Sequence, residues 1–367
     1  MNKKLKVLFV GGFQEGRNGV MGGQLHACRT LIDSEINSVV EFILLDSTMI
    51  SLPPPPVYIR VYFSFQRILK FCYKLLLKKP DVVLIFTSAG LSFLEKGLMV
   101  FIAFIFQTRV IISPRSGLLV DNINNSRFMR CYVKLVFGIC DSIICQSITW
   151  QKYYSNLTKL PLYKFVVIKN WLDPSYYLQL PAKAIISEPI QVLYLGWIEK
   201  NKGIYDLISA VKNNAVLQSN FHFIICGEGS EFYNVTKLLR EQSLSHCFEL
   251  KGWVSSEKKF AELQNADILV LPSHREGLPN AVLEAMASGC CVVASSVGAI
   301  PDIIDDKENG FLIERFNIEQ LTKTLLELNA STHLIKRTGI AARNTITKHH
   351  DIKAAWKKVH ATLLQDG

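Results

Sequence analysis

Residues 266–301 read ADILVLPSHREGLPNAVLEAMASGCCVVASSVGAIP. The stretch opens on Ile268–Leu271, an apolar run without alternation, the pattern of a strand buried on both faces. Pro272-Ser273 ends that run, and a polar loop follows with Glu276 and Gly277 at its tip. Pro279 suits the first position of a helix that continues from Asn280 to Ser288, and Gly289 is its C-terminal stop. Val292–Ser295 reads as the next strand, closely followed by Gly298. Strand, loop, helix and strand in this order predict an open parallel sheet. Ligands of such sheets gather where loops leave the carboxyl ends of the strands.

The helix after Pro279 aims unpaired backbone N–H groups and a partial positive charge at the loop, which suits an anion. Two carboxylates stand in the same place, Glu276 in the loop and Glu284 in the helix. Carboxylates repel phosphate and accept hydrogen bonds from hydroxyls, so a ligand carrying phosphates and sugar hydroxyls meets both demands. A nucleotide sugar is such a ligand. The plainer reading makes Glu276 a solvated loop residue and Glu284 a surface helix residue. Against it, Glu284 lies between Leu283 and Ala285-Met286 in a helix of small and apolar residues, and a buried Glu must be paired or working.

Glu276 and Glu284, within PS-x-x-EG-x-P, LEAMA-x-G and VAS-x-VG, resemble the E-x7-E signature of the retaining family-4 glycosyltransferases of the GT-B fold. The resemblance implies an α/β protein of two Rossmann-like doubly wound domains facing across a cleft. It places an acceptor-binding domain at 1–173, a linker at 174–188, a nucleotide-sugar domain at 189–345, and a helix at 346–367 crossing back to the first domain. In the implied scheme Glu276 contacts the donor sugar and Glu284 accepts from the ribose. Lys202, in Lys202-Gly203 after the strand Gln191–Leu195, neutralises the diphosphate. Gly22, Gly23, Gly196, Gly227, Trp253, Ser273, Gly277, Leu278, Pro279 and Asn280 line the donor. Trp197 stands where the family carries an Arg on the diphosphate, and a Trp cannot neutralise phosphate. Asn170 and Asp173 match the family's Asn-Gly-Val-Asp, with Trp171 in place of the glycine. Arg115 follows the strand Arg109–Ile112, placed to meet an anion or to serve as a structural salt-bridge partner. No D-x-D motif occurs, so a metal-bridged diphosphate is not expected and no cofactor is implied beyond the donor itself.

The first turn reads GGFQEG and not the G-x-G-x-x-G of a dinucleotide fingerprint. Charge is lopsided: residues 1–173 hold 21 Lys and Arg against 10 Asp and Glu, and the remainder 20 against 21. Basic and bulky apolar residues mix in YIRVYFSFQRILKFCYKLLLKK (58–79), which reads as a membrane-surface helix or as an amphipathic core helix with a Lys-rich end. Leu98–Phe106 is apolar but short of the ~18 residues that span a bilayer. Only Val7–Val10 follows Lys3, Lys4 and Lys6, so no secretory leader is expected. Nine scattered cysteines without a C-x-x-C pair read as reduced core residues. Nucleic acid is suggested by charge alone, and no reader motif supports it.

Together these readings predict a transferase moving a sugar from a nucleotide sugar, UDP favoured over GDP, to a lipid-linked glycan in bacterial surface polysaccharide assembly. It would work on the cytoplasmic face of the membrane, on an anionic surface. The alternatives are a nucleotide-sugar epimerase of the same fold or a weakly active sugar-nucleotide-binding subunit.

Overall fold

The computed structural model describes residues 4–14, 23–48, 55–179 and 186–365. The chain forms two units, Met1–Leu172 with Ile352–Gly367, and Asp173–Asp351.

The first unit holds a parallel sheet of β1 (Leu5–Gly11), β2 (Val40–Asp46), β3 (Val82–Thr87), β4 (Arg109–Pro114), β5 (Ser142–Cys145) and β6 (Phe165–Val167). Their order across the sheet is β2-β1-β3-β4-β5-β6. The inner strands β1, β3, β4 and β5 are covered on both faces, which is why they read as near-continuous apolar runs, whereas the edge strand β2 exposes Glu41 and Leu44. In β1, Leu8 and Val10 face one core with Phe71, Phe93, Val133 and Phe137, while Val7 and Phe9 face the other with Leu31, Val359 and Leu363. The helix Ile352–Leu364 thus packs into the first unit, and Arg109 donates to the Leu363 carbonyl at 3.1 Å. The preceding helix, Thr332–His349, belongs to the second unit.

The second unit holds β7 (Ile190–Leu195), β8 (Phe221–Cys226), β9 (Phe248–Gly252), β10 (Ile268–Leu271), β11 (Cys291–Ser295) and β12 (Phe311–Ile313). All are parallel, in the order β12-β11-β10-β7-β8-β9. The order reverses between β7 and β10, which opens a crevice at the carboxyl ends of that pair. The helix Asn280–Ser288 follows β10 and ends at Gly289, whose φ of 82° is the left-handed stop. Pro279 is its N-cap and not its first helical residue: ψ of 128° holds it in extended backbone.

The basic segment forms one long helix, Val57–Lys78. Phe71 and Leu75 are its buried residues. Tyr58, Tyr62, Phe65, Leu69, Tyr73 and Leu76 are exposed. Their spacing of three or four residues puts them on one stripe, apart from the face that carries Phe71 and Leu75. The core-helix reading therefore accounts for only one face. Arg67 ties this helix to the next, Leu91–Ile105, by a two-pronged bond to Glu95 at 2.6 and 2.7 Å. Leu91–Ile105 divides likewise: Phe93, Met99, Val100 and Ala103 are buried, whereas Leu98, Phe104 and Ile105 are exposed. Among the described residues no helix is long and apolar enough to cross a membrane. All nine cysteines are free, and seven are buried; Cys131 is exposed and Cys72 lies between.

Candidate active site

The β10 loop reaches the β7 loop by close backbone approach. Gly203 has φ of +71°, and a Cβ there would lie 1.9 Å from the Pro272 carbonyl oxygen. Gly298, after β11, has φ of +61°, and its Cβ would lie 2.3 Å from the Glu276 carbonyl oxygen. Only glycine fits either place. Ala299 N–H then donates to the Gly277 carbonyl at 2.7 Å, and His274 N–H to the Asn201 carbonyl at 2.9 Å. The two loops that flank the crevice are thereby fixed to one another.

Across that junction Lys202 donates from Nζ to Glu276 Oε1 at 2.7 Å. Glu284, 3% exposed, lies eight residues on in the helix. It accepts from Lys259 Nζ at 2.7 Å, and Tyr177 hydrogen-bonds to it. Burial first, then the Glu284 carboxylate, hold the Tyr177 phenol well above its usual range, so it remains a donor. Thus Glu284 is a buried, partnered carboxylate and not a surface helix residue. Its partners escaped the sequence reading. Lys259 lies in a helix, Ser256–Asn265, with nothing to distinguish it from Lys258 beside it. Tyr177 falls within the segment read as linker, yet the short helix Ser175–Leu178 belongs to the second unit.

The other residues take these places. Ser273 is fully buried, and its Oγ has no hydrogen-bond partner among the described residues. Leu278 is buried, and the N-cap residue Pro279 offers no side-chain cap to the helix that opens at Asn280. Gly196 N–H donates to the Cys226 carbonyl at 3.1 Å and Gly227 N–H to the Gly252 carbonyl at 2.8 Å, lacing the loops after β7, β8 and β9. Trp197 packs on Trp253, ring centroids 5.5 Å apart and tilted by 33°. The position read as short of an Arg is an aromatic contact. His274, also unread in the sequence, meets Asp206 Oδ2 at 2.8 Å through Nε2 and lies against the Phe316 ring at 3.9 Å.

Arg115 lies in the first unit. Its guanidinium sits over Phe86 at 4.7 Å and over Trp171 at 4.8 Å, and Nη2 donates to Asn170 Oδ1. Burial lowers its pKa to about 10, so it stays cationic at neutral pH. Its partners are aromatic faces and an amide, which replaces the salt-bridge reading, and among the described residues its buried Nη1 has no partner. Trp171, standing where the sequence pattern has glycine, supplies one of those faces. Gly23 opens the helix Gly23–Ile32, whose Gln24 donates to the Phe86 carbonyl at 2.9 Å. Gly22 lies outside the described residues.

Residues 179–345 match the family model Glycosyl transferases group 1. The chain is 30% identical over 166 residues to an uncharacterized glycosyltransferase of Methanocaldococcus jannaschii, covering 45% of this chain and 44% of that protein. It is 25% identical over 205 residues to the amylovoran biosynthesis glycosyltransferase AmsK of Erwinia amylovora, covering 54% and 50%. The chain thus spans about half the length of these curated relatives. Among solved structures, the Anabaena protein HepE in complex with UDP superposes with a TM-score of 0.72 at 14% identity, covering 98% and 99% of the two chains. The two six-stranded parallel sheets are those of the GT-B fold.

The Lys259–Glu284 pair gives a stability test. Lys259→Met leaves a buried carboxylate without its cation and should destabilise the fold by about 2 kcal/mol. Adding Glu284→Leu should recover part of that loss, because an apolar pair then replaces the ions. Denaturant unfolding reads both. An unchanged midpoint for Lys259→Met would mean that Tyr177 alone holds Glu284.

Proposed function

We propose that the protein is a retaining family-4 glycosyltransferase that takes its sugar from a nucleotide sugar, with UDP the favoured nucleotide and GDP second. The observation that carries this reading is the junction at the β7–β10 crevice. Lys202 and Glu276 meet there, with the buried Glu284 eight residues further along. A cation and two carboxylates at a sheet's switch point match the mixed demands of a diphosphate and sugar hydroxyls. HepE, of the same fold, carries UDP in its structure, which supports uracil as the base.

In this reading Glu284 accepts from the ribose hydroxyls, with Lys259 and Tyr177 fixing its orientation. Glu276 faces the sugar. Lys202 and the helix opening at Asn280 stabilise the charge that develops on the departing diphosphate, work assigned to no metal. One such donor contributes about 10²-fold or more to rate. The bond from the anomeric carbon to the phosphate oxygen breaks, the acceptor oxygen bonds on the same face of the sugar, and the acceptor hydroxyl's proton passes to the departing diphosphate oxygen. Arg115, a cation after β4, is assigned to the anionic part of the reactants in the first, acceptor-binding unit. Trp197 offers no charge, so Lys202 carries more of the neutralisation.

The acceptor we assign is a lipid-linked glycan of bacterial surface polysaccharide, reached from the cytoplasmic side. AmsK, named for amylovoran biosynthesis, supports the polysaccharide part. The exposed stripe of Tyr58, Tyr62, Phe65, Leu69, Tyr73 and Leu76, beside Lys70, Lys74 and Lys78, supports an anionic membrane surface as partner. Each basic residue near such a surface contributes about 1 kcal/mol.

Two experiments test this. In a screen of UDP- and GDP-sugars, Glu276→Ala and Lys202→Ala should each lower kcat/KM by about 10²-fold or more; full turnover by both would remove the site assignment. Sedimentation with phosphatidylglycerol vesicles should show binding that weakens with salt. The same binding to neutral vesicles would remove the anionic surface, and none to either would remove the membrane.

A further inference from the structure

Lys202 and Glu276 are assigned to different parts of one ligand, yet here they hold each other. The pair is largely buried, with side chains 20% and 9% exposed. A cation already neutralised by a carboxylate at 2.7 Å offers little net attraction to a diphosphate. A carboxylate already accepting from an ammonium is in turn poorly placed to accept from a hydroxyl. The two tasks therefore become available in one event.

The backbone limits what that event can be. Gly203 lies close against Pro272 and Gly298 against Glu276, and parting the loops would break the backbone hydrogen bonds from His274 to Asn201 and from Ala299 to Gly277. The Tyr194 hydroxyl, beneath the β7 loop, lies 3.0 Å from the Trp197 carbonyl oxygen and 3.3 Å from that of Lys202, with its single proton to share between them. Freedom remains in the side chains, above all in the four-carbon stem of Lys202.

We propose that the Lys202–Glu276 pair is exchanged on binding and that Glu276 thereby sets specificity for the sugar-bearing nucleotide over the bare diphosphate. The proposal rests on the reading above, that a diphosphate sits at Lys202. The incoming diphosphate takes Lys202 from Glu276. The released carboxylate then needs new donors in a half-buried place, since an uncompensated carboxylate there is costly. Sugar hydroxyls supply them. A bare nucleoside diphosphate breaks the pair and supplies none, so it binds more weakly than its contacts with Lys202 alone would give. After transfer the remaining diphosphate is in that position, and re-formation of the pair helps to expel it.

The distinguishing consequence is a gain of binding. Glu276→Gln removes the competitor for Lys202 and should tighten binding of UDP and of inorganic pyrophosphate by about tenfold, within the usual range of coupling between sites. Lys202→Met should weaken both probes. In the double variant the gain from Glu276→Gln should vanish, because nothing remains to be released. Isothermal titration with UDP, GDP and pyrophosphate on the four proteins reads this, with melting curves to establish that each is folded. Tighter pyrophosphate with no nucleotide bound by any form would keep the exchange and remove the nucleotide reading. Equal or weaker UDP and pyrophosphate binding by Glu276→Gln would overturn the exchange and leave the nucleotide reading standing. No binding of any probe to any form would overturn both.

Discussion

The ion pair between Lys202 and Glu276 is the contact around which the second unit is arranged. It needs two loops from strands far apart in sequence to meet within hydrogen-bonding distance. The sheet order brings β7 beside β10, and two glycines in left-handed backbone remove the atoms that would keep the loops apart. A side chain at Gly203 or Gly298 would push on a carbonyl of the neighbouring loop before any ligand arrived. The site's chemistry thus depends on what is missing from those two residues as much as on the charges themselves.

Strand positions were largely legible in the sequence, for a physical reason. The inner strands of both sheets are covered on both faces and read as apolar runs, whereas the edge strands β2 and β9 expose residues such as Glu41, Glu249 and Lys251. Helices were harder. Arg127–Ile139 and Thr332–His349 went unread because their polar faces carry several Lys, Arg and Asn residues that hide the periodic buried ones. The boundary at Pro279 was misplaced by one residue because extended backbone suits proline as well as the first helical turn does.

Within the site, residues were legible where chain position fixes geometry. Glu276 and Glu284 share one loop and helix, and Lys202 sits at the end of a strand. Partners were not legible where the fold alone supplies them. Lys259 lies 25 positions before Glu284, and only packing of the helix Ser256–Asn265 brings the two together. Arg115 was found as a cation at a strand end, but its setting between Phe86 and Trp171 depends on three separate strands. Trp197 was read as a lost charge, and the structure adds what replaces it, a contact with Trp253 that neither residue announces alone.

The central claim is that the second unit binds a nucleoside diphosphate group through Lys202. A thermal-shift series with UDP, GDP, ADP and NAD tests it most directly. A ligand at 100 times its Kd stabilises a fold by about 2.7 kcal/mol, a readily seen shift. The account predicts a rise with UDP, or with GDP in its place, that is lost in Lys202→Met. A rise with NAD alone, or no rise with any of the four, would contradict it.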